Sequence, residues 1–414
     1  MKNVEALVVG GGIGGLVAAL ALHKAGVGVR VFESVAEVRP LGVGINLLPH
    51  CVRILDELGA MERLLDIGVS TSEQVFFNRF GQKIWTDARG LAAGYKWPQI
   101  SIHRGELQVA LMEIARERIS PDRLHLGWHL EDFESGEDGV VARFIDRASG
   151  AAKPEIRGDL LIGADGIHSA VRAKFYPDEG PAKWNGALIY RAVTETEPFL
   201  SGRSHFMAGG AQTLIAYPIS KSHMDRGRSL TNWAARFFVD PSKGFAREDW
   251  NRRGDIADFL PRYETWRFPW FDVPALIRAA PAVWEFPMVD RDPLPRWTFG
   301  RATLLGDAAH PMYPLGSNGA SQSIIDADVL AKALTRADGV DAALRVYEDD
   351  RRPKTAQIVL HNRQGGPERI VRICEERAPG GFDDIETVIP KAELQAIFDG
   401  YKNVASFDLK TVNR

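Results

Sequence analysis

The sequence predicts an α/β fold in two parts, an α+β arrangement in which a parallel sheet and its helices are interrupted by a smaller β-rich domain and followed by C-terminal helices. Three observations predict it. The apolar run Ala6–Val9 ends in a glycine-rich turn that passes directly into the apolar stretch Leu16–Leu22. Two glycine–aspartate turns, Asp165–Gly166 and Gly306–Asp307, follow strand-like apolar runs much later in the chain. Between those two turns, from about Gly186 to Val289, Trp and Phe become frequent and strand patterns displace helical ones, with few helical signals before Glu248.

Ala6–Val9 has the length and unbroken apolarity of a strand buried on both faces. Gly10, Gly12 and Gly15 follow at G-x-G-x-x-G spacing. The first permits a tight turn, the second lets backbone approach a pyrophosphate, and the third lets helix pack on strand. A helix beginning there presents unpaired N–H groups and a partial positive charge to phosphate. The next strand, Val29–Glu33, ends in a carboxylate about 20 residues beyond the glycines, where a ribose hydroxyl is held in Rossmann-like folds. The plain alternative is a glycine-rich turn without a ligand, and the motif by itself does not separate FAD from NAD.

Further along, Pro49–Leu65 reads as one or two helices, with apolar positions at Val52, Leu55, Leu58 and Leu64. Glu73–Asn78 and Lys83–Thr86 read as short strands, and Arg104–Arg118 as a helix through Leu107, Ala110, Leu111 and Ile114. Gly139–Asp146 and Glu155–Ile162 read as strands feeding the Asp165 turn. Ala187–Ala192, Thr213–Pro218 and Leu230–Ala234 supply the inserted sheet, and Gly319–Arg336 a long helix apolar on one face. Ala392–Phe398 reads as a short helix that covers the pocket or contacts a second subunit. The expected division assigns 1–75, 100–180 and 290–365 to a discontinuous nucleotide-binding domain and 76–99 and 181–289 to the sheet domain. It leaves 366–414 as a tail without an assigned role. Ligand pockets tend to form at such domain junctions. No internal repeat or low-complexity tract is present.

Composition narrows the class. A chain of 414 residues can bury one large core or two. A formal charge of −3 gives no reason to expect nucleic acid or an anionic membrane as partner. Cys51 and Cys374 are the only cysteines, so no disulfide framework is expected, and no His/Cys/carboxylate spacing suggests a metal. No apolar stretch approaches the ~20 residues of a membrane span, and Met-Lys-Asn runs into the first strand without a charged-then-apolar leader. A cytoplasmic monomer or homodimer is the expectation.

Three phosphate-handling turns in this order suit one large cofactor, FAD, held across most of the chain. The motifs resemble those of the single-component class A flavoprotein monooxygenases, the para-hydroxybenzoate hydroxylase type. Arg39–Ile45, Ser101–Leu107, Tyr217–Ile219, Pro287–Pro295 and Tyr313–Gln322 resemble the phenazine-modifying branch of that family in particular. The likeness covers about residues 5–365. It implies a FAD-dependent NAD(P)H:O2 monooxygenase in which NADH or NADPH reduces FAD and O2 adds at the flavin C4a. The hydroperoxide then transfers OH to an aromatic or N-heteroaromatic ring, phenazine-like or an aromatic acid. The cofactor carries the chemistry, so no catalytic side chain is named. With no second dinucleotide fingerprint, the nicotinamide nucleotide is expected to bind transiently.

The cofactor residues expected from the first motif and its resemblance are Gly10, Gly12, Ile13, Gly14, Gly15, Glu33, Ser34, Arg39 and Gly44. The resemblance implies that Arg104 reaches the flavin or its pyrophosphate and that Asp307, with Gly306, binds the ribitol and pyrophosphate side. Asp165 and Gly166 are expected where FAD and the passing nucleotide both approach. Pro314, Gly316, Asn318, Gly319 and Ala320 form a turn into a helix whose N–H groups would face the N1–C2=O edge of the flavin and stabilise its charge when reduced. Plain alternatives are a solvated Asp-Gly turn, a surface arginine and a loop that merely caps a helix. His103 and His310 sit beside cofactor motifs and His23 within the first helix, and all three read as structural. Asp290, Arg291 and Asp292 fit a family stretch near the site or a solvated turn. Tyr190, Phe206, Tyr217, Trp233, Trp284 and Met288 are candidates for an aromatic-lined substrate pocket, with about two of the six expected to touch substrate because few special groups line a pocket. Other readings are an NAD-dependent dehydrogenase, a flavin reductase that inserts no oxygen, and a non-enzymatic FAD-fold chaperone of a lipid-bearing partner.

Overall fold

A computed structural model of the chain describes residues 4–40, 42–240 and 252–414; Glu248 falls outside these. The strand Glu5–Val9 is the centre of a five-stranded sheet ordered Ala302–Leu304, Leu160–Gly163, Glu5–Val9, Gly28–Glu33, Leu124–Leu126, with every neighbouring pair parallel. Ala6, Leu7 and Val8 have no exposed surface, as a strand covered on both faces requires. The order carries a functional consequence. Strands ending at Leu304, Gly163 and Val9 lie side by side, so the three turns that follow them emerge together at one edge of the sheet.

The helix Ile13–Lys24 leaves the first turn and is apolar all round. It packs between Arg104–Arg118 and Gly319–Arg336, which explains why it carries no polar face. The expected helical region near Pro49 is two helices, Pro49–Glu57 and Met61–Ile67. The expected single strand Glu155–Ile162 is also two. Ile156–Gly158 joins a three-stranded antiparallel sheet with Val140–Asp146 and Trp128–Ser135, whereas Leu160–Gly163 joins the parallel sheet. Asp159 separates them by accepting the Glu5 amide at 2.6 Å, which pins the crossover.

A second large sheet has seven strands, ordered Val283–Asp290, Lys183–Thr196, Ser229–Phe238, Thr213–Pro218, Ser204–Gly209, Glu73–Phe77, Lys83–Ala88. All pairs are antiparallel except Ser204–Gly209 with Glu73–Phe77. The expected boundary at 75/76 falls inside the strand Glu73–Phe77. One face of this sheet packs on its own aromatic core with Phe259, Tyr263 and Trp266. The other faces the parallel-sheet side of the molecule. Residues beyond 365 form Arg369–Arg377, Lys391–Val404 and Leu409–Val412, longer than the helix expected at Ala392–Phe398. They bury Val371, Cys374 and Phe398 against Phe76 and Met207 of the seven-stranded sheet. Among the described residues no helix is long and apolar enough to cross a membrane.

Candidate active site

A cavity of about 340 Å³ lies between the three clustered turns and the seven-stranded sheet, and it runs into a smaller one of about 70 Å³ on the sheet side. Gly12, Ile13 and Gly14 line the large cavity at the N-terminus of the first helix. Gly12 is its N-cap and no side chain caps the helix, so its first amides are left to a ligand. A β-carbon on Gly12 would meet no protein atom within 4 Å, whereas one on Gly10 would run into the Ala164 carbonyl and one on Gly15 into that of Gly10. Gly10 and Gly15 therefore shape the turn and do not line the cavity. Glu33 accepts the Gly11 amide at 2.7 Å and the Val35 amide at 2.9 Å, and Ser34 Oγ donates to it at 3.1 Å. Arg39 is directed elsewhere, exposed and paired with Glu37 at 2.6 Å.

The other two turns are tied to each other by Arg172. Ser169 caps the helix Ala170–Phe175 by accepting the Arg172 amide, and the buried Arg172 guanidinium donates to the carbonyls of Ala308 and Ala309 at 3.0 and 2.9 Å. Gly166 and Asp307 both line the large cavity. Asp165 turns inward. Its Oδ2 accepts the Ala170 amide at 2.7 Å, its Oδ1 is buried without a partner, and desolvation raises its pKa. Gly306 lines the cavity and donates its amide to Asp326 at 3.1 Å. Asp326 also holds His310 at 2.6 Å and Arg351 at 2.7 Å. The Asp290–Asp292 stretch is held by ion pairs, Asp290 to Arg363 at 2.7 Å and Arg291 to Glu179 at 3.0 Å.

Pro314, Asn318, Gly319 and Ala320 line the cavity where the helix Gly319–Arg336 starts, again without a side-chain cap. Gly316 does not. Its φ of 65° and the close approach of the Tyr401 ring explain why glycine stands there. Arg104 lines the cavity from the start of its own helix, which His103 caps. Gly44 reaches it with its amide bonded to Asn232 Oδ1 at 2.7 Å and its carbonyl to Arg191 at 2.9 Å.

Of the six aromatic-pocket candidates, Tyr217 and Met288 line both cavities. The other four do not. Alternate residues of a strand face opposite sides, and Tyr190, Phe206 and Trp233 lie on the face turned to the aromatic core, with Tyr190 bonded to Glu285 and Trp233 to Thr194. Trp284 lies under the Arg253 guanidinium, 4.6 Å from its ring centroid. The cavity face carries their neighbours Ile189, Arg191, His205 and Asn232 instead, with Arg236 further along the same strand as Asn232. A charge in the middle of an apolar strand such as Leu188–Val193 is the signal by which Arg191 was open to detection.

These residues fit FAD. Two uncapped helix N-termini open on one cavity, Gly12 and Gly319 leave space where a β-carbon would stand, and Asp307 and Arg104 line it with groups for hydroxyls and phosphate, whereas Glu33 and Ser34 do not line it. Fold and site together define a flavin-dependent oxidoreductase. Residues 3–199 and 288–362 match the family model described as FAD binding domain, and the chain belongs to that family. It is 43% identical over 406 residues to phenazine 1,6-dicarboxylic acid hydroxylase PhzS of Lysobacter antibioticus, covering 97% of each chain. It is 32% identical to 3-hydroxybenzoate 6-hydroxylase of Polaromonas naphthalenivorans, over 92% of this chain and 94% of that one. The structure of Klebsiella pneumoniae HpxO with FAD and uric acid, 25% identical, matches with a TM-score of 0.73 over 98% of this chain and 94% of that one. The chain is thus a FAD-dependent aromatic hydroxylase, a monooxygenase with a reduced nicotinamide nucleotide and O2 as co-substrates.

Proposed function

We propose that the substrate is a fused N-heteroaromatic acid of the phenazine-carboxylate kind, and that Arg191 holds its carboxylate. The observation that carries this is a charge without a counter-charge. Arg191 lines both cavities, it donates to the Gly44 carbonyl at 2.9 Å and meets the Tyr217 hydroxyl, its Nε is buried without a partner, and among the described residues no carboxylate pairs with it. A desolvated cation of this kind is expensive unless an anion joins it, and burial presses its pKa down for the same reason. Burial raises the pKa of Tyr217, so its phenol keeps its proton beside Arg191 and can donate to a substrate oxygen. Ile189, Ile215 and Met288 give the chamber apolar walls suited to a flat ring. The substrate named for the Lysobacter relative is a phenazine diacid.

FAD, when bound, supplies the electron transfer and the oxygen activation. The chain binds and orients it, with the amides of Gly12–Gly14 toward its pyrophosphate, Glu33 toward a ribose hydroxyl, and Arg104 and Asp307 toward the remaining polar span. The Asn318–Ala320 amides would hold the pyrimidine edge of the flavin. The division into a nucleotide-binding part, a sheet part and a C-terminal part belongs to the same proposal, with the first boundary placed before the strand Glu73–Phe77 rather than at 75/76. A cytoplasmic setting, a monomeric or homodimeric state and the absence of a nucleic-acid partner belong to the same reading.

Holoenzyme turned over with phenazine-1-carboxylate, phenazine 1,6-dicarboxylate, unsubstituted phenazine and 3-hydroxybenzoate tests it. The expected result is NADH or NADPH oxidation stimulated by the phenazine acids, with product heavier by one oxygen. Equal turnover of unsubstituted phenazine would overturn the role of Arg191.

A further inference from the structure

The region beyond the family match contains a buried tyrosine whose hydroxyl touches the loop assigned above to the flavin. Tyr401, from the helix Lys391–Val404, donates to the Leu315 carbonyl at 3.1 Å and accepts from Asn318 Nδ2 at 2.9 Å. Asn318 Oδ1 in turn accepts from Gln322 Nε2 at 3.2 Å, and Gln322 Oε1 accepts from Arg351. Arg351 pairs with Asp326, and Asp326 accepts the Gly306 amide. One buried polar chain therefore runs from the C-terminal segment to both cofactor loops. The loop it grips is held in a sparsely populated conformation. Gly316 has a φ of 65°, which glycine takes freely, and Ser317 one of 57°, which a non-glycine keeps only where its surroundings over-determine it. Asn362 bonds the Tyr313 carbonyl at 3.0 Å, Glu368 accepts the Gly316 amide at 3.3 Å, and Tyr401 completes the grip.

We infer that Tyr401 is a positioning residue for the flavin. By orienting the Asn318 amide it fixes where the Gly319 helix N-terminus points, and so sets how strongly negative charge on the pyrimidine edge is stabilised. The inference rests on the assignment of that loop to the flavin. The C-terminal helices are in this reading part of the redox site and not only a cover for the seven-stranded sheet.

Sulfite adds to the flavin N5 and leaves negative charge on the same edge, so its dissociation constant, read from bleaching of the flavin absorbance, reports this environment without turnover. Tyr401→Phe keeps the ring and removes the hydroxyl contacts with Leu315, Asn318 and Asn362. It is expected to weaken sulfite binding about fivefold, the equivalent of one hydrogen bond, and to raise the peroxide formed per nicotinamide oxidised. Gln322→Met breaks the next link and is expected to act in the same direction, which keeps the test open if Tyr401→Phe does not fold. Tyr95→Phe removes a hydroxyl bond from the same C-terminal segment, to the Phe407 carbonyl, without touching the loop. It is expected to lower thermal stability only. If Tyr401→Phe and Gln322→Met match Tyr95→Phe in sulfite affinity and coupling, the inference fails. Gly319→Ala distinguishes the two possible faults, since its β-carbon would meet no protein atom within 4 Å. A sulfite change there, with none at Tyr401, leaves the loop assignment standing and overturns Tyr401 alone. No change at any of the three loop-linked positions overturns the loop assignment itself.

Discussion

The Tyr401 hydroxyl occupies the space that a β-carbon on Gly316 would need. Residues far apart in the chain are thereby matched, a glycine in the cofactor loop and a tyrosine in the last long helix. Gly316→Ala is expected to displace Tyr401 and to force alanine to a positive φ, destabilising the protein by about 2–4 kcal/mol. A urea midpoint within error of the wild type would show that the loop yields freely.

Two glycines of the first motif are expected to fail in different ways. The Gly12 β-carbon enters the cavity and meets no protein atom within 4 Å, whereas the Gly15 β-carbon runs into the Gly10 carbonyl. Gly12→Ala is expected to leave the melting temperature of the FAD-free protein unchanged while FAD affinity falls by about tenfold or more. Gly15→Ala is expected to lower both. Titration of the stripped proteins with FAD, beside their thermal melts, separates the two outcomes.

Arg191→Met removes a buried cation that no carboxylate pairs with among the described residues. Loss of a charge-assisted hydrogen bond of about 1.5–3 kcal/mol corresponds to roughly 10- to 150-fold in kcat/KM for a carboxylated substrate. Turnover of an uncharged aromatic is expected to be spared. Equal losses on both would mean that Arg191 acts on the flavin or the fold. Trp233→Phe, on the opposite face of the same sheet, is expected to cost stability and leave KM alone.

The pair of Asp326 and Arg351 is fully buried, with a 2.7 Å contact. Arg351→Met leaves the carboxylate with only His310 and one amide, and is expected to destabilise the protein by about 3–5 kcal/mol. Adding Asp326→Leu should recover part of that loss, because no charge is then left buried alone. Denaturant midpoints of the single and double variants decide; an additive double variant contradicts the pairing.

His50 and His205 are buried, and desolvation holds both pKa values down to about 3. Unfolded imidazoles titrate near 6.5. Between those values the unfolded chain binds more protons, so stability rises with pH across the window and is lost as pH falls through it. Each imidazole contributes a slope of about 1.4 kcal/mol per pH unit. His50→Phe, placed against the Phe407 ring at 5.5 Å, should flatten the acid limb by about one proton. Unfolding free energies from pH 5 to 8 for both proteins give the slopes, and parallel curves would refute the assignment.

The local features of this protein are legible in its amino-acid order. A glycine spacing is a local property, as are an apolar run, a helical period and a cap. So the strand at Ala6, the turn at Gly10, the helices Arg104–Arg118 and Gly319–Arg336 and the order of three cofactor turns were all readable. From these came the fold class and the cofactor, which rest on backbone geometry that few sequences satisfy. Tertiary structure alone decided which residues meet across the chain. A strand's pattern marks two faces without saying which one looks into the site, and so Tyr190, Phe206 and Trp233 were candidates while Arg191, Asn232 and His205, one residue away on each strand, were not. Nothing local ties Tyr401 to Gly316, Arg172 to Ala308 or Asp326 to His310. These contacts exist because parallel strands from distant segments lie side by side and the last helices close over them, and long-range packing of that kind leaves no periodic trace in the residues it joins.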